Sequence, residues 1–171
     1  LGYALTADSA APTSIGLTSK GNQQWVAGLG LYDKTISYDA LEDIDASIPT
    51  VIVDMSGNST LLADLHGHLG DNLVHCLNVG LTHWNEGGKD TGIPKEKREF
   101  FFAPSHIQMR IKEWGADAFD AKSSQFIYDA SRQSADWMKL EKLDGVEELA
   151  SIYADVCAGK LPPEKALVIE L

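Results

Sequence analysis

Cysteine is scarce in this sequence, and no long apolar run is present. Cys76 and Cys157 are the two cysteines among 171 residues. Two thiols in apolar stretches form neither a disulfide framework nor a zinc knuckle, so we expect both to be core residues in a reducing compartment. No run approaches the roughly 20 apolar residues needed to span a bilayer, and no signal peptide is evident. These absences predict a cytoplasmic protein.

Basic residues are outnumbered. The chain has 25 Asp and Glu residues against 14 Lys and Arg residues, and its formal net charge at pH 7 is -11. Nucleic acid phosphates and anionic membrane surfaces repel such a chain, so we expect neither as a general partner. A phosphorylated small molecule can still bind through local groups. The length is sufficient for one good core.

Three short apolar runs each end in small polar residues, within segments 14–20, 51–58 and 77–84. Aliphatic and β-branched residues without polar alternation are typical of strands buried on both faces, and segments with helical periodicity lie between them. This alternation predicts an α/β fold with a parallel sheet. Ligands bind outside the carboxyl ends of the strands in such sheets. The residues predicted to collect there are Thr18, Ser19, Lys20, Asp54, Ser56, Gly57, Gly80, Thr82 and His83.

The pattern also predicts the order of the elements. Strands are predicted at 14–18, 34–38, 50–54, 73–80, 100–103 and 166–171. Helices are predicted at the first residues, around Trp25, from the N-cap Asn58 to Gly70, and over three apolar stripes after Pro104. The second of these stripes includes Trp137 and Met138.

Ser19 and Lys20 directly follow the first of these strands. In dinucleotide folds a carboxylate at this position binds the ribose 2′-hydroxyl, whereas a basic residue accommodates the extra phosphate of NADP. Hydroxyls and an ammonium are present here, and charge-assisted hydrogen bonds contribute about 1.5 to 3 kcal/mol each. A bound dinucleotide is therefore predicted to be NADP rather than NAD. The alternative is a solvated loop that caps the next helix.

Asp54, Ser56, Gly57 and Asn58 form a predicted strand-to-helix turn. Glycine lets the backbone approach a ligand closely, and amides at a helix start attract anions. An ordinary turn capped by Asn58 is the alternative, but it leaves Asp54 at the end of a buried strand unexplained, which favours a ligand role. Gly80, at the end of the next strand, lets a nicotinamide or adenine ring lie against the backbone, although glycine also ends strands without functional reason.

Several histidines lie close together in sequence, but their spacing argues against a metal site. Residues two apart on a helix point about 200° apart, so His66 and His68 cannot bind one ion from the predicted helix. No HExxH or CxxC motif accompanies them. The sequence therefore predicts no metal. His83, beside Thr82 and Trp84, is the first candidate for a proton donor, with an ordinary surface or core histidine as the alternative.

Four segments taken in order resemble a known family. They are residues 16–41, VIVDMSGN at 51–58, VGLTHW at 79–84 and EFFFAPSHIQMR at 99–110. They resemble the DUF2855 family of domains of unknown function. That family in turn looks like the zinc-independent medium-chain dehydrogenases/reductases, the superfamily of the quinone oxidoreductases. The resemblance covers nearly the whole chain.

The resemblance implies a Rossmann-like doubly wound parallel sheet that lacks its first strand, followed by C-terminal helices and a terminal strand. It divides the chain into a partial cofactor-binding domain at 1–103 and a C-terminal helical segment with a terminal strand at 104–171. It places residues 18–20 at the adenosine 2′-phosphate, 54–58 beside the dinucleotide and 79–83 near the nicotinamide. The implied cofactor-binding residues are Thr18, Ser19, Lys20, Asp54, Ser56, Gly57, Asn58, Val79, Gly80, Thr82 and His83.

The same resemblance implies an amino-terminal substrate domain and a central strand, which these residues do not contain. A missing central strand leaves two sheet edges about 9 to 10 Å apart, twice the usual spacing. Unpaired buried edges are costly. We therefore expect either a longer native polypeptide or a complementing chain, and the resemblance favours a homodimer.

The leading functional expectation is an NADP-dependent oxidoreductase that transfers hydride to a carbonyl or an activated alkene of a small-molecule substrate. No general acid is apparent, and His83, Trp84 and Asn85 are the first residues to test. A non-catalytic nucleotide-sensing or structural domain is the alternative. A metal hydrolase that uses the histidines is a third hypothesis and requires tightly bound zinc.

Overall fold

A computed structural model describes residues 1–80 and 90–170 of the chain. The chain divides into two compact units, Leu1–Met109 and Arg110–Leu171. The boundary between them falls inside helix α4, Ala103–Trp114. Among the described residues, no helix is both long and apolar enough to cross a membrane.

The first unit contains two small parallel sheets. Its elements are α1 Gly2–Thr6, β1 Ile15–Thr18, α2 Gln23–Gly28, β2 Lys34–Ser37, β3 Thr50–Asp54, α3 Ser59–Leu69, β4 Leu73–Asn78 and β5 Arg98–Phe100, followed by the start of α4. β1 pairs with β2, and β3, β4 and β5 form a sheet in that order. All three pairings are parallel. The predicted mixed α/β fold with parallel strands is confirmed.

Helix α3 forms the centre of the core in this unit. Asn58 caps it, because its Oδ1 accepts a hydrogen bond from Leu61 N at 3.0 Å, and Gly70 ends it with a φ of 55°. The predicted caps are therefore confirmed. Each fully buried leucine contributes about 1.5 to 3 kcal/mol. The cluster of buried residues comprises Ile36, Ile44, Leu62, Leu65, Leu69, Leu73, Cys76 and Ile93.

The second unit is built around one βαβ motif. Its elements are α5 Ala116–Ser134, β6 Lys139–Asp144, α6 Gly145–Cys157 and β7 Lys165–Glu170, preceded by the end of α4. β6 and β7 form a parallel pair. At its start, Lys139 Nζ forms an ion pair with Glu164 Oε1 at 3.3 Å. Leu143 is the single buried hydrophobic residue in the described part of this unit.

Three predictions of local structure are wrong. The strand predicted at 100–103 lies instead at Arg98–Phe100, where it pairs with β4. Helix α4 already begins at Ala103, and Pro104 fits its first turn. Trp137 and Met138 follow α5 instead of belonging to it, since the charged strand β6 begins at Lys139. Cys157, predicted as a core residue, is exposed. The second unit buries too little apolar surface to enclose that end of α6.

Candidate functional site

Asp54 lies buried at the carboxyl end of β3 and organises the turn that follows. Its Oδ1 accepts hydrogen bonds from Ser56 N at 2.9 Å, Ser56 Oγ at 3.0 Å and Gly57 N at 3.0 Å. Its Oδ2 accepts from Gly57 N at 3.1 Å and from Asn78 Nδ2 at 3.0 Å. The carboxylate therefore holds the β3–α3 turn and ties it to β4. This gives Asp54 an internal role, and its role toward a ligand stays a prediction.

The segment after β4 runs close against the same turn. The main-chain oxygen of Asp54 accepts hydrogen bonds from Val79 N at 2.8 Å and Gly80 N at 3.3 Å. A Cβ atom at Gly80 would lie 2.3 Å from the carbonyl oxygen of Met55. Real Cβ atoms do not approach an oxygen so closely, so glycine is required here by the protein's own backbone. The ligand contact predicted for Gly80 remains a prediction.

The carboxyl end of β1 presents the predicted phosphate-binding residues. The main-chain oxygen of Thr18 accepts a hydrogen bond from Tyr38 N at 3.0 Å, which ties this end to β2. Ser19 and Lys20 are exposed, and a 3-10 turn over Lys20–Asn22 follows them. The Lys20 side chain is therefore accessible to an anionic ligand.

Tyr38 has a hydroxyl group whose acidity is changed by its surroundings. It follows β2 directly and is half-buried, and burial together with the charge of the Asp54 carboxylate raises the pKa of its hydroxyl. Burial is the larger of the two causes, and among the described residues no strand pairing joins β2 to β3. Tyr38 was not among the predicted site residues, although it lies at the end of a predicted strand and therefore at the expected ligand edge.

The structure thus brings part of the predicted site together. One group gathers around the ends of β3 and β4: Asp54, Ser56, Gly57, Asn58, Val79 and Gly80. A second group, Thr18, Ser19 and Lys20, lies at the end of β1. Thr82, His83, Trp84 and Asn85 lie outside the described residues. Asn78 joins the first group without having been predicted, and its position at the end of a predicted strand was the available signal.

The described histidines make contacts of their own. His68 Nε2 lies 2.8 Å from the carbonyl oxygen of Ile44, which fixes α3 to the connection between β2 and β3. Glu99 lies 3.3 Å from His75 and 3.8 Å from His106. Within residues 1–80 and 90–170, no group of three or more His, Cys, Asp or Glu side chains is arranged to hold a metal ion.

A cavity of about 300 Å³ lies near the amino ends of β1 and β2, at the other end of that sheet from Lys20. Asp33 and Ser14 line it, and they bond each other through Ser14 N and Oγ at 2.7 and 2.9 Å. These hydrogen bonds lower the pKa of the Asp33 carboxyl group. Asp33 and Ser14 satisfy each other's hydrogen-bonding groups, so no ligand is assigned to this cavity.

The two thiols should differ sharply in reactivity. Burial, followed by the charge of the Asp54 carboxylate, raises the pKa of the Cys76 thiol to about 11, whereas Cys157 is exposed. Only the thiolate reacts with a disulfide reagent. We expect one thiol per native chain to react with Ellman's reagent at pH 8, and two in urea. The Cys157→Ser variant should react only in urea, and rapid native labelling of that variant would contradict the assignment.

Cys76 also predicts a pH dependence of stability. Its folded pKa lies above the ordinary value of 9.0, so the thiol stabilises the fold below pH 9, and this contribution is lost as the pH rises toward 11. Between pH 8 and pH 11 we expect the wild-type free energy of unfolding to fall by up to about 2 kcal/mol more than that of Cys76→Ala. Urea unfolding at several pH values measures the difference, and parallel pH profiles would contradict it.

Comparisons with known proteins give one match. The model of a family described as "Protein of unknown function (DUF2855)" matches residues 1–162. Neither the curated proteins nor the solved structures contain a match to the chain.

Proposed function

We propose that this chain, which belongs to the DUF2855 family of proteins of unknown function, is the cofactor-binding part of an NADP-dependent oxidoreductase. The observation that carries the proposal is the set of residues at parallel strand ends: the turn held by Asp54 lies at the carboxyl ends of β3 and β4, and the exposed Lys20 follows β1. Ligands of open parallel sheets bind at such an edge.

The helix positions support a doubly wound arrangement of the two sheets. The apolar residues of α2 are absent from the described core cluster around α3, whereas Leu41 and Ile44, in the β2–β3 connection, belong to it or pack against it. The α2 helix is therefore inferred to lie on one face, with that connection and α3 on the other. Because parallel crossovers are right-handed, these faces favour the strand order β2, β1, β3, β4, β5. In this order the crossover from β1 to β2 and the crossover from β3 to β4 run in opposite directions across the sheet, as on the two sides of a dinucleotide-binding switch point.

The residues at this edge fit an NADP molecule. Ser19 and Lys20 are exposed where the 2′-phosphate is predicted, and a primary ammonium there offsets the acidic charge of the chain. Gly57, with a φ of 70°, keeps the β3–α3 turn free of side-chain bulk. The Asp54 carboxylate, which would otherwise repel phosphates, is compensated by its hydrogen bonds from Ser56, Gly57 and Asn78.

In this proposal the chain binds and orients the cofactor. When bound, the nicotinamide supplies the hydride for reduction of a carbonyl or activated alkene. Residues 1–103 form the cofactor-binding domain and 104–171 the C-terminal helical segment, as in the zinc-independent medium-chain dehydrogenases/reductases that the sequence resembles. Lys20 holds the 2′-phosphate, and the turn stabilised by Asp54 supports the dinucleotide.

Substitution of Lys20 tests the cofactor. We expect wild-type protein to bind NADPH more tightly than NADH, and Lys20→Ala to weaken NADPH binding by roughly 10- to 100-fold while leaving NADH binding unchanged. Fluorescence titration of NADPH and NADH measures both. Lys34→Ala is the matched control, because Lys34 lies at the amino end of β2. Equal binding of the two nucleotides, or no binding of NADPH, would contradict the proposal.

A nucleotide-sensing domain without turnover is the second candidate. Both oxygens of the buried Asp54 carboxylate accept hydrogen bonds from the protein itself, and this observation favours the second candidate. NADPH oxidation with a panel of aldehydes, ketones and quinones separates the two functions. If the chain binds NADPH but oxidises it with none of these substrates, the result supports the sensor function.

A further inference from the structure

The carboxyl end of β5 carries two exposed aromatic rings. Phe100, the last residue of that strand, is 69% exposed, and Phe102 is 56% exposed. Neither belongs to the described core cluster around α3 or packs against it. The other two residues of β5, Arg98 and Glu99, are charged and exposed, as suits a strand at the edge of a sheet. We name Phe100 and Phe102 the aromatic edge.

The strand register places Phe100 beside the candidate site. Asp54 of β3 pairs with Asn78 of β4, and Asn78 pairs with Phe100. Side chains of paired residues lie on the same face of a parallel sheet, and the hydrogen bond of 3.0 Å from Asn78 Nδ2 to Asp54 Oδ2 agrees with this. Since neighbouring strands are about 4.8 Å apart, the Cα atom of Phe100 lies about 10 Å from that of Asp54.

The residues on either side of Phe100 direct their side chains to the other face of the sheet. Glu99 lies 3.8 Å from His106, and the ring of Phe101 stacks on that of His106 with centroids 4.4 Å apart. Because successive side chains of a strand alternate between faces, these contacts leave Phe100 on the face of the candidate site. Among the described residues, the Phe100 ring stacks on no other ring.

The end of β5 also runs beside the place proposed for the reaction. The proposed function has the nicotinamide near the segment that follows β4, which begins with Val79 and Gly80. The main chain after β5 is bonded to the end of β4, since Phe101 N donates to Asn78 O at 2.8 Å. A substrate must bring its reactive carbon within about 3 to 3.5 Å of the nicotinamide. The rest of that substrate is then within reach of the aromatic edge.

The size of the aromatic edge suits a single ring better than a protein partner. At the observed exposures its two side chains present roughly 250 Å² of apolar surface in all. A stable protein interface buries about 800 Å² of each partner. Aromatic rings also attract one another in offset or edge-to-face geometries, beyond the effect of the buried area. The chemistry of this surface therefore favours a small aromatic ligand.

We infer that the aromatic edge binds the substrate, and that this substrate carries an aromatic ring directly attached to its carbonyl group or activated alkene. The ring contacts Phe100, and the reactive carbon lies toward the segment after β4. Phe100 determines specificity and takes no part in proton transfer. This inference rests on the proposed NADP-dependent function and adds the class of substrate to it.

Two ketones with the same carbon skeleton test the role of the ring. Acetophenone and cyclohexyl methyl ketone share one carbonyl group, and only the first is aromatic. We expect the protein saturated with NADPH to bind acetophenone about 2- to 10-fold more tightly. Ligand-observed NMR titration measures both affinities without requiring turnover. Phe100→Leu keeps an apolar side chain and should bind the two ketones equally. Equal binding by the wild-type protein, or an unchanged preference in this variant, would overturn the inference.

Phe101→Leu is the matched control. It makes the same substitution at the adjacent position, where the ring stacks on His106. This variant should keep the wild-type preference for acetophenone, and circular dichroism checks that both variants are folded. Loss of the preference in Phe101→Leu as well would refute the assignment to Phe100.

Titration of NADPH by itself separates this inference from the proposed function. If NADPH does not bind, the proposed function is contradicted, and the two ketones are then titrated into the chain without nucleotide. A preference for acetophenone that Phe100→Leu removes would still support the aromatic edge as a binding site. Equal binding of the ketones there would refute it. If NADPH binds and the ketones bind equally, the proposed function stands and the substrate class is wrong.

Discussion

Gly80→Ala is expected to lower the free energy of unfolding by about 3 kcal/mol. The added methyl group would lie 2.3 Å from the carbonyl oxygen of Met55 and 3.1 Å from its carbonyl carbon. A flexible side chain could move aside, but these are backbone atoms next to the turn that Asp54 holds. The clash can therefore be relieved only by separating the segment after β4 from that turn. Urea unfolding followed by circular dichroism measures the loss.

Gly67→Ala is the matched control for this prediction. Gly67 lies inside α3, and a Cβ atom there would have nothing within 4 Å. Alanine is the better helix former, so this variant should gain up to about 1 kcal/mol. If both substitutions shift the urea midpoint in the same direction, the close approach at Gly80 is not the cause.

Asp54→Ala is expected to cost about 3 to 5 kcal/mol. The variant removes the acceptor for Ser56 N, Gly57 N and Asn78 Nδ2, and it leaves these donors partly buried without the carboxylate. Thermal and urea unfolding measure the cost. The pKa of Tyr38 should also fall toward its ordinary value, because the Asp54 charge contributes to its elevation. An ultraviolet titration of the tyrosines reports that change.

Two further variants isolate the role of this carboxylate. Asp64→Ala removes an exposed acidic residue from α3 and should change stability by no more than about 0.5 kcal/mol. Asn78→Ala combined with Asp54→Ala forms a double-mutant cycle, for which we expect a coupling energy of about 0.5 to 3 kcal/mol. Additive effects of the two substitutions would mean that the hydrogen bond from Asn78 to Asp54 adds nothing to the free energy of unfolding.

Local sequence signals identified the elements of the first unit well. The strand at Thr50–Asp54 and the helix capped by Asn58 were predicted because aliphatic residues, a capping side chain and a terminal glycine all indicate the same boundaries. The strand β6 was missed because its charged residues suit a solvent-exposed surface and give no strong strand pattern. Its pairing with β7 depends on residues about 25 positions later, which no local pattern reveals.

The location of the candidate site could be predicted from the sequence, but its hydrogen-bond network could not. The small polar residues that follow the predicted strands indicated that Asp54 and Gly80 lie at strand ends. Sequence alone did not show that the Asp54 carboxylate turns inward to Ser56 and Asn78, since that depends on how two strand ends meet. The requirement for glycine beside Met55 is likewise a matter of tertiary distance. Tyr38 was overlooked because its partner is 16 positions away in sequence.

The hydrogen bonds from Ser56 N and Gly57 N to the Asp54 carboxylate also bear on local mobility. A carboxylate that holds two successive main-chain amides leaves the β3–α3 turn little freedom to change shape. The turn should therefore present the same contour to a molecule before and after contact, with little conformational entropy lost in ordering it.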